Sequence, residues 1–295
     1  MKSVLSRRSL IAGIGAGAIA ACGLPAAASA GETKELYRVK NGRVRQSVVM
    51  WCYNPMPPDE LAGHAKELGL ESVELVATEH WPTLKRLGLT CAIASSHGFA
   101  KGFAQKEQHA ECLAVLRQRI DDCAQAGVPN VITFSGFRRG LSDEEAMKNV
   151  EDGLKQIVPY AETKGVTLCL EVLNSRVAIE MKGHPDYFCD HIEPAVELCR
   201  RIGSERMKIL FDIYHVQIME GDIIRRIQQF HPYFAHYHTG GNPGRNEIDA
   251  TQEINYPAVM QAILDTGYKG YVGQEFIPTR DKIASLSEAA RICDV

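Results

Sequence analysis

Short apolar runs alternate with helical segments along the chain, from about residue 46 to the end. Eight of the runs are rich in β-branched and aromatic residues and have the length of buried strands. They cover residues 46–53, 72–77, 90–96, 130–135, 166–174, 207–215, 234–239 and 270–277. This alternation predicts a chain built from repeated strand–helix units.

The segments between these runs show helical periodicity, and several end at a glycine, as helices commonly do. The predicted helices cover 59–68, 107–126, 143–163, 186–202, 222–230 and 256–266, with a short second crossover at 83–88. Eight such units in one domain favour an α/β fold, a single (β/α)8 barrel. An open doubly wound sheet is disfavoured, because Trp51-Cys52-Tyr53-Asn54-Pro55 follows the first strand where a glycine-rich phosphate-binding turn would be needed.

The first thirty residues have the pattern of an export signal. Lys2, Arg7 and Arg8 precede an uncharged run of Ala, Gly and Ile that ends in Ala28-Ser29-Ala30. Ser6-Arg7-Arg8-Ser9-Leu10 resembles the twin-arginine motif, which predicts passage through the twin-arginine export machinery to the periplasm. Proteins on this route are exported already folded, so a metal can be loaded before transport.

An alternative processing site lies within the same segment. Ile19-Ala20-Ala21-Cys22 resembles a lipoprotein cleavage box, which would leave a lipid anchor on Cys22 and is the one predicted route to a membrane. Soluble export is favoured over this anchor. The expected organisation is therefore a signal peptide at 1–30, a lead-in at 31–45 and a catalytic barrel at 46–295.

Composition and charge exclude several functional classes. The 295 residues are 45% hydrophobic with a formal net charge of −3, and removal of the signal's three positive charges leaves about −6. An acidic chain of this kind is not expected to bind nucleic acid, because Lys and Arg supply most of that affinity. The nine cysteines form no CxxC pair, so neither a zinc ribbon nor a disulfide framework is predicted.

The last four predicted strands each place an ionisable group near the end of an apolar run. These groups are Glu171, Asp212, His238 and Glu275. Active sites of barrels lie at the carboxyl ends of the strands, and a buried carboxylate is costly unless it is paired or binds a cation. The set therefore favours one divalent metal ion. Three carboxylates and an imidazole suit Mn²⁺ or Mg²⁺ and can accept Co²⁺, whereas zinc more usually takes Cys or several His.

Five motifs together resemble the hydroxypyruvate isomerase family, within the wider xylose-isomerase-like barrels that include ketose 3-epimerases. The motifs are Glu171-Val172-Leu173-Asn174-Ser175-Arg176, Phe211-Asp212-Ile213-Tyr214-His215, Asn242-Pro243-Gly244-Arg245, Glu253-Ile254-Asn255-Tyr256 and Gly273-Gln274-Glu275-Phe276. The resemblance covers residues 46 to about 280. It implies that Glu171, Asp212, His238 and Glu275 bind the metal and that Glu171 and Glu275 also form the acid/base pair.

Two positions depart from the hydroxypyruvate isomerase pattern. His238 stands where those enzymes often have Gln, and Val172 stands where Pro usually follows the strand-five Glu. At His238 the chain looks more like the epimerase branch, so the resemblance leaves the substrate open between sugars, keto sugars and hydroxy keto acids.

The predicted function is that of a metal-dependent isomerase or epimerase, of the aldose–ketose isomerase or ketose 3-epimerase type. Such an enzyme removes a proton from the carbon beside a carbonyl and passes through an enediolate. The alternatives are a metal-dependent lyase acting on a keto-glycoside and a non-catalytic periplasmic sugar-binding barrel. An endonuclease-type phosphodiesterase is disfavoured, because it needs more histidines and a DNA partner. Assembly as a homo-oligomer stays open.

Four further side chains near the predicted mouth are candidate substrate-binding residues: His215, Arg245, Glu74 and His97. Arg245 can bind a carboxylate or a pair of hydroxyls, or it can pair with Glu247 or Glu253 instead. Each of the other three can equally be a hydrogen-bonding residue of the core.

Overall fold

Eight parallel strands form the centre of the structure, a computed structural model that describes residues 35–295. The strands are β1 Arg45–Val49, β2 Ser72–Glu74, β3 Ile93–Ala94, β4 Asn130–Thr133, β5 Thr167–Glu171, β6 Met207–Asp212, β7 Phe234–Thr239 and β8 Tyr271–Gln274. They lie in the order β2-β1-β8-β7-β6-β5-β4-β3. A parallel bridge between Ser72 and Thr90 joins the two ends of this sheet, which makes a nearly closed barrel. The predicted (β/α)8 fold is confirmed.

Between residues 35 and 295, ten α-helices follow or connect the strands. They are α1 Pro58–Leu68, α2 Trp81–Leu87, α3 His109–Ala126, α4 Asp143–Leu154, α5 Val158–Lys164, α6 Ile192–Ile202, α7 Ile213–Met219, α8 Ile223–Phe230, α9 Tyr256–Asp265 and α10 Lys282–Cys293. Five of them (α1, α2, α3, α5 and α6) end at a glycine with φ between 70° and 80°. These glycines turn the chain into the next strand, since they adopt the left-handed conformation without steric cost.

Several predicted boundaries were wrong. The helix expected at 186–202 begins only at Ile192, and the strand expected at 46–53 ends at Val49, where a 3-10 helix follows. The segment 143–163 was expected to be one helix, but it forms α4 and α5, and the second of these begins just before Pro159, which cannot continue a helix from the preceding turn. The strand expected at 207–215 ends at Asp212, and α7 begins at the next residue. The Asp212 side chain caps α7 by accepting a hydrogen bond of 3.0 Å from the His215 N–H.

The hydrophobic core fills both the barrel interior and the layer between strands and helices. Val48, Val73, Leu168 and Ile209 are among the strand residues with no solvent exposure. This rigid core carries the carboxyl ends of the strands, where the polar residues gather.

The predicted signal peptide, with its twin-arginine motif and Cys22, lies outside the described residues, so export and lipid anchoring stay predictions. Between residues 35 and 295, every helix is too short or too polar to cross a membrane.

Candidate active site and metal centre

Four ionisable side chains meet at the carboxyl ends of β5 to β8. Glu171 and Asp212 are the last residues of β5 and β6, His238 lies in β7, and Glu275 directly follows β8. One ligand atom from each lies within 4.8 Å of the corresponding atoms of the other three. All four side chains are buried, with residue exposures of 4% or less. The structure thus brings together the predicted metal ligands, whose role as ligands stays a prediction.

Strand register explains why these groups converge. The Cα of Asp212 pairs with that of His238, and His238 in turn pairs with Gly273, two residues before Glu275. Adjacent parallel strands that end at the same level present their last side chains to one point inside the mouth of a barrel.

Arg245 and His238 offset the negative charge of the cluster. Arg245 Nη2 lies 2.5 Å from Glu275 Oε2 and 3.3 Å from Asp212 Oδ2. His238 Nδ1 lies 2.9 Å from Glu275 Oε2 and 3.7 Å from Glu171 Oε1. Trp51 Nε1 donates a 3.0 Å hydrogen bond to the other oxygen of Glu275. Glu275 is therefore the carboxylate with the most fixed orientation.

These surroundings push the pKa values of the carboxyls apart. Burial raises the pKa of Glu171 and raises that of Asp212 well above its ordinary value. Burial acts on Glu275 as well, but the charges of Arg245 and His238 outweigh it and hold the pKa of Glu275 well below its ordinary range. Burial lowers the pKa of His238, but the charge of Glu275 and the contacts of the imidazole with Glu171, Glu275 and Glu74 together outweigh it and raise that pKa well above its ordinary value.

The donor set fits a divalent cation. Glu171 Oε1 and His238 Nδ1 are buried and have no hydrogen-bond partner among residues 35–295, and buried polar atoms of this kind normally have one. Although His238 Nδ1 and Glu275 Oε2 are close, their geometry does not make a hydrogen bond. Three carboxylates and one imidazole nitrogen could together hold a divalent metal ion.

Glu74 lies behind His238 and does not reach the cavity at the mouth. Its Oε1 atom accepts hydrogen bonds from His236 Nε2 at 2.9 Å and from His238 Nε2 at 2.8 Å, and all three side chains are fully buried. Burial alone would raise the pKa of Glu74, but the two imidazoles outweigh it and lower the pKa to about 2. Glu74 was a candidate substrate ligand, and the structure instead places it in a buried His-Glu-His group.

His236 was not singled out from the sequence as a separate site residue. The sequence could have pointed to it, because His236 and His238 are two residues apart on β7 and must therefore lie on the same face of the strand.

A cavity of about 230 Å³ opens in front of the cluster. Glu171, Glu275 and Arg245 supply its charged lining. The remaining wall is largely apolar and consists chiefly of Trp51, Leu75, Phe99, Ile132, Phe134, Leu173 and Met181. A cavity this small suits a small ligand, since sites for drug-sized molecules measure about 300–1,000 Å³. A larger groove of about 580 Å³ lies between α2 and α3, but none of the clustered ionisable residues lines it.

Arg245 is the one predicted substrate-binding residue that lines this cavity. Its guanidinium lies 5.1 Å from the centre of the Trp51 ring and donates from Nη1 to the Met181 carbonyl at 2.6 Å. The sequence left a pairing with Glu247 or Glu253 open, but the structure pairs Arg245 with Asp212 and Glu275 instead.

His215 and His97 are placed beside the cavity rather than in its lining. His215 lies in the first turn of α7, not at a strand end, and Asn174 donates to its Nδ1 from both the backbone N–H and the side-chain amide. His215 Nε2 lies 3.7 Å from Asp212 Oδ2. His97 bonds the Lys101 carbonyl and the Thr133 hydroxyl, each at 3.1 Å, which indicates a bracing role between loops.

Sequence reasoning missed His184, which lines the cavity from the loop between β5 and α6. Its ring lies 4.3 Å from that of Phe99, so the two side chains are in contact and form one continuous part of the cavity wall. Burial and the charge of Arg245 lower the pKa of His184 to about 4, which leaves a neutral imidazole at physiological pH. A histidine in a long loop outside every predicted element gave no local signal of this placement.

Comparison with known proteins gives consistent matches. The family described as xylose isomerase-like TIM barrel matches residues 62–293. Hydroxypyruvate isomerase of Escherichia coli is 26% identical over 199 residues, which cover 68% of this chain and 70% of that protein.

Solved structures match over most of the chain. An AP endonuclease, family 2, from Brucella melitensis has a TM-score of 0.73 and 24% identity, and the match covers 84% of this chain and 99% of that one. A 3-keto-D-glucoside 4-epimerase from Escherichia coli has a TM-score of 0.71 and 17% identity over 84% of this chain and 97% of that one. At these identities the two matches show a shared fold.

Proposed function

Because the chain belongs to the xylose isomerase-like TIM barrel family, we propose that it is a divalent-metal-dependent isomerase or epimerase. Its substrate is a small sugar, keto sugar or hydroxy keto acid. The similarity to hydroxypyruvate isomerase supports this class of reaction. The observation that carries the proposal is that Glu171 and Glu275 both line one small cavity while belonging to a single buried cluster with Asp212 and His238.

In the proposed reaction, the two carboxylates transfer a proton. Glu171 and Glu275 come from β5 and from the end of β8, so a substrate carbon in the cavity has a carboxylate on two sides. One of them removes the proton from the carbon beside the carbonyl, and a carboxyl returns it to that carbon or to its neighbour. A divalent cation held by the four clustered side chains would stabilise the negative charge that develops on the substrate oxygens.

The rest of the cavity orients the substrate and keeps water away. Arg245 holds Glu275 in place and presents its own charge to the cavity, where it can bind a substrate oxygen. Phe99 and Trp51 offer apolar faces to the carbon side of a sugar. The neutral imidazole of His184 can donate or accept a hydrogen bond at a hydroxyl.

Proton exchange with solvent tests the proposal directly. Full-length protein with Mn²⁺, Mg²⁺ or Co²⁺ is incubated in D₂O with ketoses, keto-glycosides and hydroxypyruvate, and NMR detects deuterium on the carbon next to the carbonyl. We expect exchange with at least one substrate, and less of it after chelation of the metal. An unsaturated product from a keto-glycoside would identify a lyase instead. Sugar binding without any exchange would refute the catalytic proposal.

We also propose that the protein is exported to the periplasm through the twin-arginine pathway, on the basis of Ser6-Arg7-Arg8-Ser9-Leu10. Fractionation of cells that express the full chain should recover it in the periplasm. The double variant Arg7→Lys/Arg8→Lys should stay in the cytoplasm. Equal export of the two proteins would overturn this assignment, and labelling by a radioactive fatty acid would favour the anchor at Cys22.

A further inference from the structure

We infer that Glu74 is a positioning residue that fixes the tautomer of His238, so that the Nδ1 lone pair of His238 faces the carboxylate cluster. The inference rests on the proposed function, because it concerns the same candidate metal centre. It assigns to Glu74 a role that requires no contact with the substrate.

The hydrogen bonds of Glu74 define this tautomer. An ionised carboxylate only accepts hydrogen bonds, so the 2.8 Å contact between Glu74 Oε1 and His238 Nε2 requires the proton to be on Nε2. When a cation binds, the imidazole keeps only the proton that is bonded to Glu74, and Nδ1 is then left with a free lone pair. That lone pair faces Glu171 and Glu275, at 3.7 Å and 2.9 Å. A carboxylate behind a histidine commonly orients it as a metal ligand in this way.

His236 holds the carboxylate in position. It donates from Nε2 to the same Oε1 atom at 2.9 Å, and its ring stands almost perpendicular to that of His238, with an interplanar angle of 88°. Two donors on one oxygen fix the position of Glu74 more closely than one would. Glu74 therefore has little freedom to turn away from His238.

Gly273 makes the close approach of Glu74 to His238 sterically feasible. A Cβ atom at this position would lie 2.1 Å from Glu74 Oε1 and 2.9 Å from His238 Cδ2. Three strands, β2, β7 and β8, thus contribute to one arrangement: a carboxylate, two imidazoles, and a residue with no side chain beside them. Apolar side chains would be enough to pack the core of a barrel, so packing alone does not explain this combination of residues.

A second cation is the alternative occupant of this group, since one ligand atom from each of Glu74, His236 and His238 lies within 4.8 Å of the other two. The two short Nε2–Oε1 distances favour hydrogen bonds, because each imidazole proton already has its acceptor. One metal ion per chain would indicate that Glu74 hydrogen-bonds to the two histidines, whereas two ions per chain would indicate a second metal site there.

Cobalt binding to Glu74→Gln tests the inference. The probe is Co²⁺, with affinity measured by chelator competition and ligand geometry by the visible absorption spectrum. We expect wild type to bind one Co²⁺ per chain and Glu74→Gln to bind it about 10- to 100-fold more weakly with an altered spectrum. The matched control is Asp294→Asn, another buried carboxylate with several hydrogen bonds but no contact with the cluster. It should keep the wild-type affinity and spectrum.

A second measurement reads the tautomer in the wild-type protein itself. In ¹⁵N-histidine spectra of metal-free wild-type protein, recorded at a pH at which His238 is neutral and with His238 assigned by its loss in His238→Gln, Nε2 should carry the one remaining proton. A dominant Nδ1–H form of His238 would overturn the inference, as would two Co²⁺ ions per chain or an unchanged affinity in Glu74→Gln. One Co²⁺ bound with the expected tautomer, but no turnover of any substrate, would refute the proposed function and leave the inference standing.

Discussion

Glu247 joins the loop that carries Arg245 to the segment that follows Glu275, and its replacement should weaken the fold around the site. Its carboxylate accepts hydrogen bonds from the Thr279 N–H and hydroxyl, both at 2.8 Å, and from the Ser285 hydroxyl at 3.0 Å. Ser285 lies in α10, so one side chain fixes two loops and a helix. We therefore expect Glu247→Gln to unfold more easily than wild type.

The pKa of Glu247 gives the size of the effect. Burial would raise this pKa, but the hydrogen bonds from Thr279 and Ser285 outweigh it and lower the pKa from 4.5 to about 2. That difference corresponds to about 3 kcal/mol of unfolding free energy when the group is fully ionised. Because the folded-state pKa is depressed, this stability is present above about pH 4.5 and is lost as the pH falls towards 2.

Urea unfolding followed by circular dichroism, from about pH 7 down to about pH 3, measures this contribution. Glu247→Gln should be about 2–3 kcal/mol less stable than wild type near neutral pH, and less than half of the gap should remain near pH 3. The exposed Glu144→Gln in α4 is the control and should change stability by under about 0.5 kcal/mol. Equal stability near neutral pH, or a gap that does not shrink with acid, would refute the reasoning.

Three further outcomes are expected. Glu171→Gln and Glu275→Gln should each lower kcat by about 10²- to 10⁴-fold while the circular dichroism spectrum is unchanged, and near wild-type turnover in both would contradict their catalytic role. Without metal, the Arg245→Ala variant should be about 3–5 kcal/mol less stable than wild type, because two buried carboxylates lose the positive charge beside them. Addition of Mn²⁺ should raise the Tm of this variant more than the Tm of wild type. Gly102→Ala should lower the unfolding free energy, measured in urea, by about 1–3 kcal/mol, since its Cβ would lie 2.2 Å from a facing backbone nitrogen. The control Gly63→Ala, which has open space around it in α1, should leave that free energy unchanged or raise it.

The barrel could be predicted from the sequence because its signals are local. Each strand is a short apolar run, and each crossover contains a periodic helix, several of them closed by glycine. The convergence of Glu171, Asp212, His238 and Glu275 followed from the same pattern, since strand ends in a closed parallel barrel must meet at one mouth. Nothing beyond the order of strands and their polar ends was needed to bring these four residues together.

Contacts that depend on side-chain reach could not be predicted in this way. Glu74 and His238 are 164 residues apart, and their hydrogen bond depends on the missing side chain of Gly273. His215 was assigned to a strand because the apolar run continues through 207–215, whereas the capping interaction of Asp212 starts α7 there. The apolar pattern alone does not distinguish a strand that continues to His215 from a helix that begins at Ile213.

The loop after β7 shows how the site can be both highly charged and stable. Arg245 has a left-handed φ of 57° and directs its guanidinium at two buried carboxylates, while its carbonyl accepts from the Ile277 N–H at 2.6 Å. Two residues later, Glu247 points away from the cavity and bonds the segment that follows β8. A buried ion pair contributes little net stability by itself. The loop must therefore be held by Glu247 and by its own backbone, so that Arg245 keeps its position whether or not a cation shares the carboxylates.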